Sequence, residues 1–177
     1  MSLAAAAPVS PAPGVSEALA RERAAAIKDL RYTVTFVIPA ARSAPVRGSV
    51  TVRFTLAAPH RVVLDFPQPR ESVQAVRLAG APVDAVFENG HIVVAAPQTR
   101  TGLNELTVDF AAGDESLNRS DEFLYSLFVP ARAQFAFPCF DQPDLKARYQ
   151  LTLEVPTDWQ AIANGAETTR ETAGASH

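Results

Sequence analysis

The sequence predicts an all-β fold, an antiparallel sandwich or a curved open sheet, preceded by one short helix. Two observations carry the β assignment. Long segments alternate apolar and polar residues with a period of two, and shorter β-rich segments separated by turn residues lie among them. One N-terminal segment has helical spacing instead.

The first residues, "MSLAAAAPVSPAPG", are small, polar and proline-rich. They offer little apolar bulk to offset ordering entropy, so residues 1–14 are expected to be a disordered leader. The "AAAAP" run fits a plain flexible leader or the small-residue end of a removed export signal, and an exported location is favoured. "VSEALARERAAAIKDL" follows as a helix with Ser16 as N-cap. Leu19, Ala26, Ile27 and Leu30 share a face, with Arg21, Glu22 and Lys28 elsewhere.

Then the period changes. Tyr32, Val34, Phe36 and Ile38 point one way, with Thr33 and Thr35 opposite. Val50, Val52, Phe54 and Leu56 alternate with Thr51, Arg53 and Thr55. Leu106, Val108 and Phe110 repeat the pattern, as do Tyr149, Leu151, Leu153 and Val155. A one-residue slip would expose each apolar row, so these registers are strongly specified. Shorter strands fit "HRVVLDF", "SVQAVRLA", "PVDAVF" and "HIVVAA", with turns at Gly80-Ala81 and Asn89-Gly90. Residues 111–121 read as a polar loop, 122–128 as a short strand, and the stretch beyond Pro130 as irregular.

Composition narrows the function. The 177 residues suffice for one core, and the formal net charge is −3 with no basic stripe for nucleic acid. No apolar run is long enough to span a bilayer. Arginine supplies 14 of the 16 basic residues, a sign of GC-rich coding and a bacterial source. One cysteine excludes an internal disulfide, and His60, His91 and His177 lack the spacing of a zinc site. His60 and His91 read as solvated residues beside turns. Asn118 opens an "NRS" acceptor pattern to which no function is attached.

The one stretch that invites chemistry is "QFAFPCFDQPDLKARY", residues 134–149. A nucleophilic Cys139 needs a base and a medium that favours thiolate. Its neighbours are Phe137, Pro138 and Phe140, so it reads as buried filler. Asp141 and Asp144 can form an acid/base pair, or more simply organise a turn. In the turn reading Asp141 caps, Gln142-Pro143 opens a helical turn and Lys146 pairs with a carboxylate. Phe137, Cys139, Asp141 and Pro143 are therefore expected to form a structural corner, and no catalytic constellation is complete.

"FAFPCFDQPDLKARYQLTLEVP" followed by "AIANG" resembles the signature of the aminopeptidase N family of zinc metallopeptidases, which includes leukotriene A4 hydrolase. "DLRYTVTFVIP" and "VRGSVTVRFTL" are similar to that family's opening strands, and the likeness runs over residues 29–166. The resemblance implies a saddle-shaped antiparallel β-sandwich with one short N-terminal helix. Residues 15–177 would then be the family's N-terminal β domain, cut short at its C-terminal end. It implies a peptidase parent whose zinc, held by an HExxH helix and a later Glu, sits in a separate catalytic domain. Neither HExxH nor the GxMEN-type loop occurs here, so no cofactor and no turnover are expected of this chain alone. The implied partners are that catalytic domain and, in the parent, a peptide substrate.

In the family a Gln-x-Glu step upstream of the signature helps hold the substrate's free amine, because a carboxylate pairs with ammonium. Phe128, Pro130, Ala133 and Ala136 match the family pattern, but Leu127 and Val129 stand where Gln and Glu are expected. Arg132 replaces a usual Asp, and Gln134 a usual Arg. Amine binding is not carried over to Leu127 or Val129; at most they line an apolar cleft wall. The alternative reading is a scaffold or interaction module of a catalytically inactive relative.

Overall fold

The computed structural model describes residues 10–172. Along them run α1 (Glu17–Ala26), β1 (Ile27–Val37), β2 (Arg47–Leu56), β3 (Val62–Asp65) and β4 (Val73–Leu78). β5 (Ala81–Pro82), β6 (Ala85–Glu88), β7 (His91–Val94) and β8 (Gly102–Ala111) follow. The series ends with β9 (Leu117–Arg119), β10 (Leu124–Ser126) and β11 (Arg148–Glu154). The domain is mostly β, as the alternation predicts.

Ser16 caps α1, its hydroxyl accepting the Leu19 N–H at 3.2 Å. The helix is shorter than predicted. Ile27 is already extended, and its N–H closes the last turn on the Arg23 carbonyl. Ile27 and Leu30 both face the core because β1 bulges between Lys28 and Arg31, with Asp29 at φ 52°. A bulged strand thus imitates helical i, i+3 spacing, which explains the misplaced boundary.

Two sheets share one core. The larger has the order β11-β1-β2-β8-β4-β5, and the smaller β3-β7-β6. Val34 on β1, Val50, Val52 and Phe54 on β2, and Val108 and Phe110 on β8 turn inward as predicted. From the smaller sheet Val62, Leu64, Ile92 and Val94 join them. Phe36 and Phe66 each meet Phe110 edge-on at 5.8 Å, tying the layers together by aromatic contact.

The larger sheet is not wholly antiparallel. β11 runs parallel to β1, with Tyr32 opposite Tyr149 and Phe36 opposite Leu153. A parallel neighbour cannot come from a hairpin; the chain must first cross the domain. Residues 127–147 make that crossing. Upstream, β9 pairs with β10, so a strand lies within the predicted 111–121 loop, where Leu117 is buried among polar neighbours. The strand expected over 122–128 is confined to β10.

Asn89 and Gly90 take φ of 51° and 80° and join β6 to β7 in the two-residue turn the sequence predicts. The turn after β4 falls on Ala79-Gly80, φ 50° and 83°, one residue earlier than predicted. Gly48 meets a different demand. A Cβ there would lie 2.6 Å from both the Thr35 carbonyl oxygen and the Phe110 ring. Gly48→Ala is therefore expected to destabilise the domain by roughly 1–3 kcal/mol through overpacking. Denaturant unfolding of that variant checks this; an unchanged midpoint would show that the strands can part at no cost.

Candidate functional site

The polar centre of the molecule is a carboxylate at the end of β3. Val62 and Leu64 point into the core, so Val63 and Asp65 alternate to the other side, where α1 lies across the strand. Asp65 is completely buried. A buried carboxylate is costly unless fully paired, and this one is. Oδ1 accepts from Arg23 Nη2 at 2.5 Å and lies 2.9 Å from His91 Nδ1. Oδ2 accepts from Arg23 Nη1 and from the Asp141 N–H, both at 2.9 Å.

Each partner comes from a different element. Arg23 projects from α1, and its Nη2 also donates to the Val63 carbonyl at 2.7 Å. Its guanidinium stands over the Phe140 ring at 5.3 Å, a cation–π contact. Its Nε finds no acceptor among the described residues. His91 opens β7, only 2% exposed. Its Nδ1 contact with Asp65 is a close charge contact rather than an aligned hydrogen bond, since that atom lacks a partner of hydrogen-bond geometry. Burial alone would raise the Asp65 pKa, but His91 and Arg23 outweigh it and hold the carboxyl below its ordinary value.

The predicted corner closes on the same carboxylate. Asp65 and Cys139 form an isolated antiparallel bridge, with Asp65 N–H donating to the Cys139 carbonyl at 2.7 Å and Cys139 N–H returning at 3.2 Å. The Phe140 N–H donates to the Tyr32 hydroxyl at 2.9 Å. Phe137 packs edge-on against Tyr32, Phe36 and Phe128. Gln142 Nε2 reaches the Ala20 carbonyl on α1 at 3.2 Å and Asp144 Oδ1 at 3.0 Å.

Several roles differ from those expected. Asp141 caps upstream, accepting the Gln134 N–H at 3.1 Å. Burial pushes its carboxyl up despite that bond. Gln142-Pro143 opens a β-turn closed by the Leu145 N–H on the Gln142 carbonyl, not a helical turn. No ion pair of Lys146 occurs among the described residues. Nor is His91 solvated, whereas His60 stays part-exposed but is not without partners. His60 Nε2 lies 3.1 Å from Glu22, which also takes two bonds from Arg61 at 2.7 Å each. Those bonds hold the Glu22 carboxyl below its usual value. His177 lies outside the described residues.

The segment expected to be a leader is anchored where it is described. Ser10 donates to Glu88 at 2.8 Å, Asn89 Nδ2 to the Pro11 carbonyl at 2.9 Å, and His91 Nε2 lies 2.9 Å from the Ala12 carbonyl. Residues 1–9 lie outside the described residues.

A second surface is apolar. Phe123, Tyr125, Leu127 and Val129 are all more than half exposed, and Val129 reaches 74%. The rings of Phe123 and Tyr125 stack at 6.2 Å. Phe128 turns the other way, onto Phe137 at 5.9 Å. Arg132 follows and donates to the Glu115 carbonyl. No three His, Cys, Asp or Glu side chains converge as metal ligands among the described residues. Among the described residues, then, no donor set fits the zinc that the resemblance assigns to another domain. No described helix is long and apolar enough to cross a membrane.

Sequence reasoning missed Arg23, Asp65 and His91. The signals were there. Asp65 interrupts an apolar run in "VVLDF", and Arg23 falls four residues after Leu19 on the helix's apolar face. A charge on each of two apolar faces points to a buried pair.

Removing one partner leaves the other charge uncompensated, so Asp65→Ala is expected to cost about 3–5 kcal/mol in denaturant unfolding. The Asp65 pKa is lowered from 3.8, so its contribution is present above about pH 3.8 and is lost as pH falls through the folded value. An acid transition unchanged by Asp65→Asn would contradict this. Burial, with Asp141 and Asp65 nearby, pushes the Cys139 thiol well up. Cys139 should label slowly until denaturant is added; rapid labelling of the native chain would contradict its burial.

The comparisons with known proteins agree with this geometry. The Peptidase M1 N-terminal domain model matches residues 28–177. Aminopeptidase N of Streptomyces lividans is 31% identical over 159 residues, covering 82% of this chain and 18% of that protein. Aminopeptidase M1 of Arabidopsis thaliana is 54% identical over 37 residues, 21% of this chain and 4% of that protein. Among solved structures, a Deinococcus radiodurans M1 zinc metallopeptidase mutant bound to a Tyr-Ser-Ala substrate matches with a TM-score of 0.66 and 25% identity. That match covers 84% of this chain and 37% of that one. Native leukotriene A4 hydrolase from Saccharomyces cerevisiae shares the fold at a TM-score of 0.59 and 18% identity, over 73% of this chain and 23% of that one. This chain thus spans about a fifth of the length of the curated aminopeptidase N it matches. With the family model matched over residues 28–177, the chain belongs to the Peptidase M1 N-terminal domain family.

Proposed function

We propose that this domain is the non-catalytic N-terminal part of an M1 zinc aminopeptidase, forming one wall of the peptide cleft and bracing the catalytic domain. The observation that carries this is the exposed row Phe123, Tyr125, Leu127 and Val129 beside the signature corner. Four exposed apolar side chains within seven residues, two of them stacked, favour a partner surface or ligand. The corner beneath it is rigid, because Phe128 and Phe137 anchor it to the core while the carboxylate knot fixes the far side. Such a support presents a wall that holds its shape when a substrate binds. The zinc and its general base belong to the catalytic domain of the parent.

One observation favours a second reading. Leu127 and Val129 carry no charge, so nothing at these two positions pairs with a substrate ammonium. A scaffold or interaction module of an inactive relative would have no need of that charge. The parent's reading frame separates the two: an intact HExxH with its later Glu supports the enzyme, and their loss supports the scaffold.

Two outcomes are expected. The pure chain should release nothing from an aminoacyl anilide with or without added zinc; zinc-dependent release would overturn the non-catalytic reading. In an active parent, Leu127→Asp should raise KM for an apolar peptide while changing stability by less than about 0.5 kcal/mol, as for other exposed positions. An unchanged KM would remove Leu127 from the cleft wall.

A further inference from the structure

The imidazole of His91 stands between two acceptors. Nδ1 faces the Asp65 carboxylate at 2.9 Å, and Nε2 faces the Ala12 carbonyl at 2.9 Å. A neutral ring carries one N–H and one lone pair, so it can satisfy only one of these oxygens. The other would meet a lone pair at hydrogen-bond distance. Only the doubly protonated ring suits both.

The geometry points to a proton-operated latch: protonated His91 clamps the N-terminal strap, residues 10–12, onto the β6–β7 hairpin, and loss of its Nε2 proton to solvent frees the strap. Which proton leaves is set by charge. Asp65 is an anion, and its charge 2.9 Å away keeps a proton on Nδ1 even without an aligned hydrogen bond; Ala12 offers only a neutral carbonyl. The neutral ring therefore keeps Nδ1–H and turns a lone pair toward Ala12. The Pro11 carbonyl stays bonded to Asn89 and Ser10 to Glu88, but both neutral-donor contacts lie near the surface and are weaker anchors.

The groups around the ring fix the direction of the switch. Asp65 faces it from β3, and Arg23 from α1 opposes its charge. Asp141, Cys139 and Tyr32 stand around Asp65 and Arg23 on the corner and on β1. Glu88 lies on the hairpin itself and holds Ser10. Burial lowers the His91 pKa, yet Asp65 and the Ala12 carbonyl outweigh it, and the result is raised above 6.5. The clamp is thus complete below about pH 6.5 and opens as pH rises through the folded value. When it opens, the strap's contact with the His91 ring is released.

Nitrogen NMR of the His91 ring across about pH 6 to pH 9 tests this in the 177-residue chain. Both ring nitrogens should be protonated at the acid end and Nδ1 alone at the alkaline end. Over the same titration the Ala12 amide order parameter should fall from about 0.85 to about 0.6 or below. His91→Gln should abolish the pH dependence, and His60→Gln should leave it intact. An Ala12 amide whose order does not follow the ring, a ring that gives up its Nδ1 proton first, or a transition that survives in His91→Gln would each overturn the latch. The wild-type titration decides the matter even where the variant does not fold.

Discussion

The fold depends on one buried carboxylate and the four contacts that surround it. Asp65 is reached by a helix, a neighbouring strand and the signature corner, which are distant in sequence. The knot is costly to assemble, because both Asp65 and Arg23 leave water. Its cost is offset only when every partner is in place, and that makes it a specifying device rather than a simple source of stability. A helix in another register, or a corner displaced by one residue, would leave a bare charge in the interior.

The corner matters for the same reason. It carries the chain from the smaller sheet, where Cys139 bridges Asp65, to the far edge of the larger sheet, where β11 runs parallel to β1. A sheet with one parallel edge needs such a crossing, and a free crossing would be an entropic burden. Here the crossing is fixed by Phe137 in the core, the Phe140 N–H on Tyr32 and the Asp141 N–H on Asp65. Cys139 is buried there and contributes bulk and backbone. The exposed row from Phe123 to Val129 leads directly into this corner, so a partner bound there would rest on the most constrained part of the domain.

Much of the β architecture was legible because alternation with a buried face is a strong signal. The inward rows of β1, β2 and β8 fall where the period of two puts them. The helix boundary was misplaced because the bulge at Asp29 lets Ile27 and Leu30 share a face at helical spacing. The parallel pairing of β11 was not legible at all, since local patterning is silent about direction. The candidate site was less legible than the fold. The motif marked the corner, but buried charge pairs have no periodicity, and Arg23, Asp65 and His91 meet only through tertiary contact. His91 was misread for that reason, and the partner of part-exposed His60 was missed, because Asp65 and Glu22 lie far away in sequence.

A double-mutant cycle on Arg23 and Asp65 addresses the central claim most directly. Arg23→Met and Asp65→Leu should each lose stability, because each strands the other charge. The double variant, with both charges gone, should lose less than the sum by more than about 1 kcal/mol. Losses that simply add would show that the two residues do not act as a buried pair, and the carboxylate would not be the point on which the fold is organised.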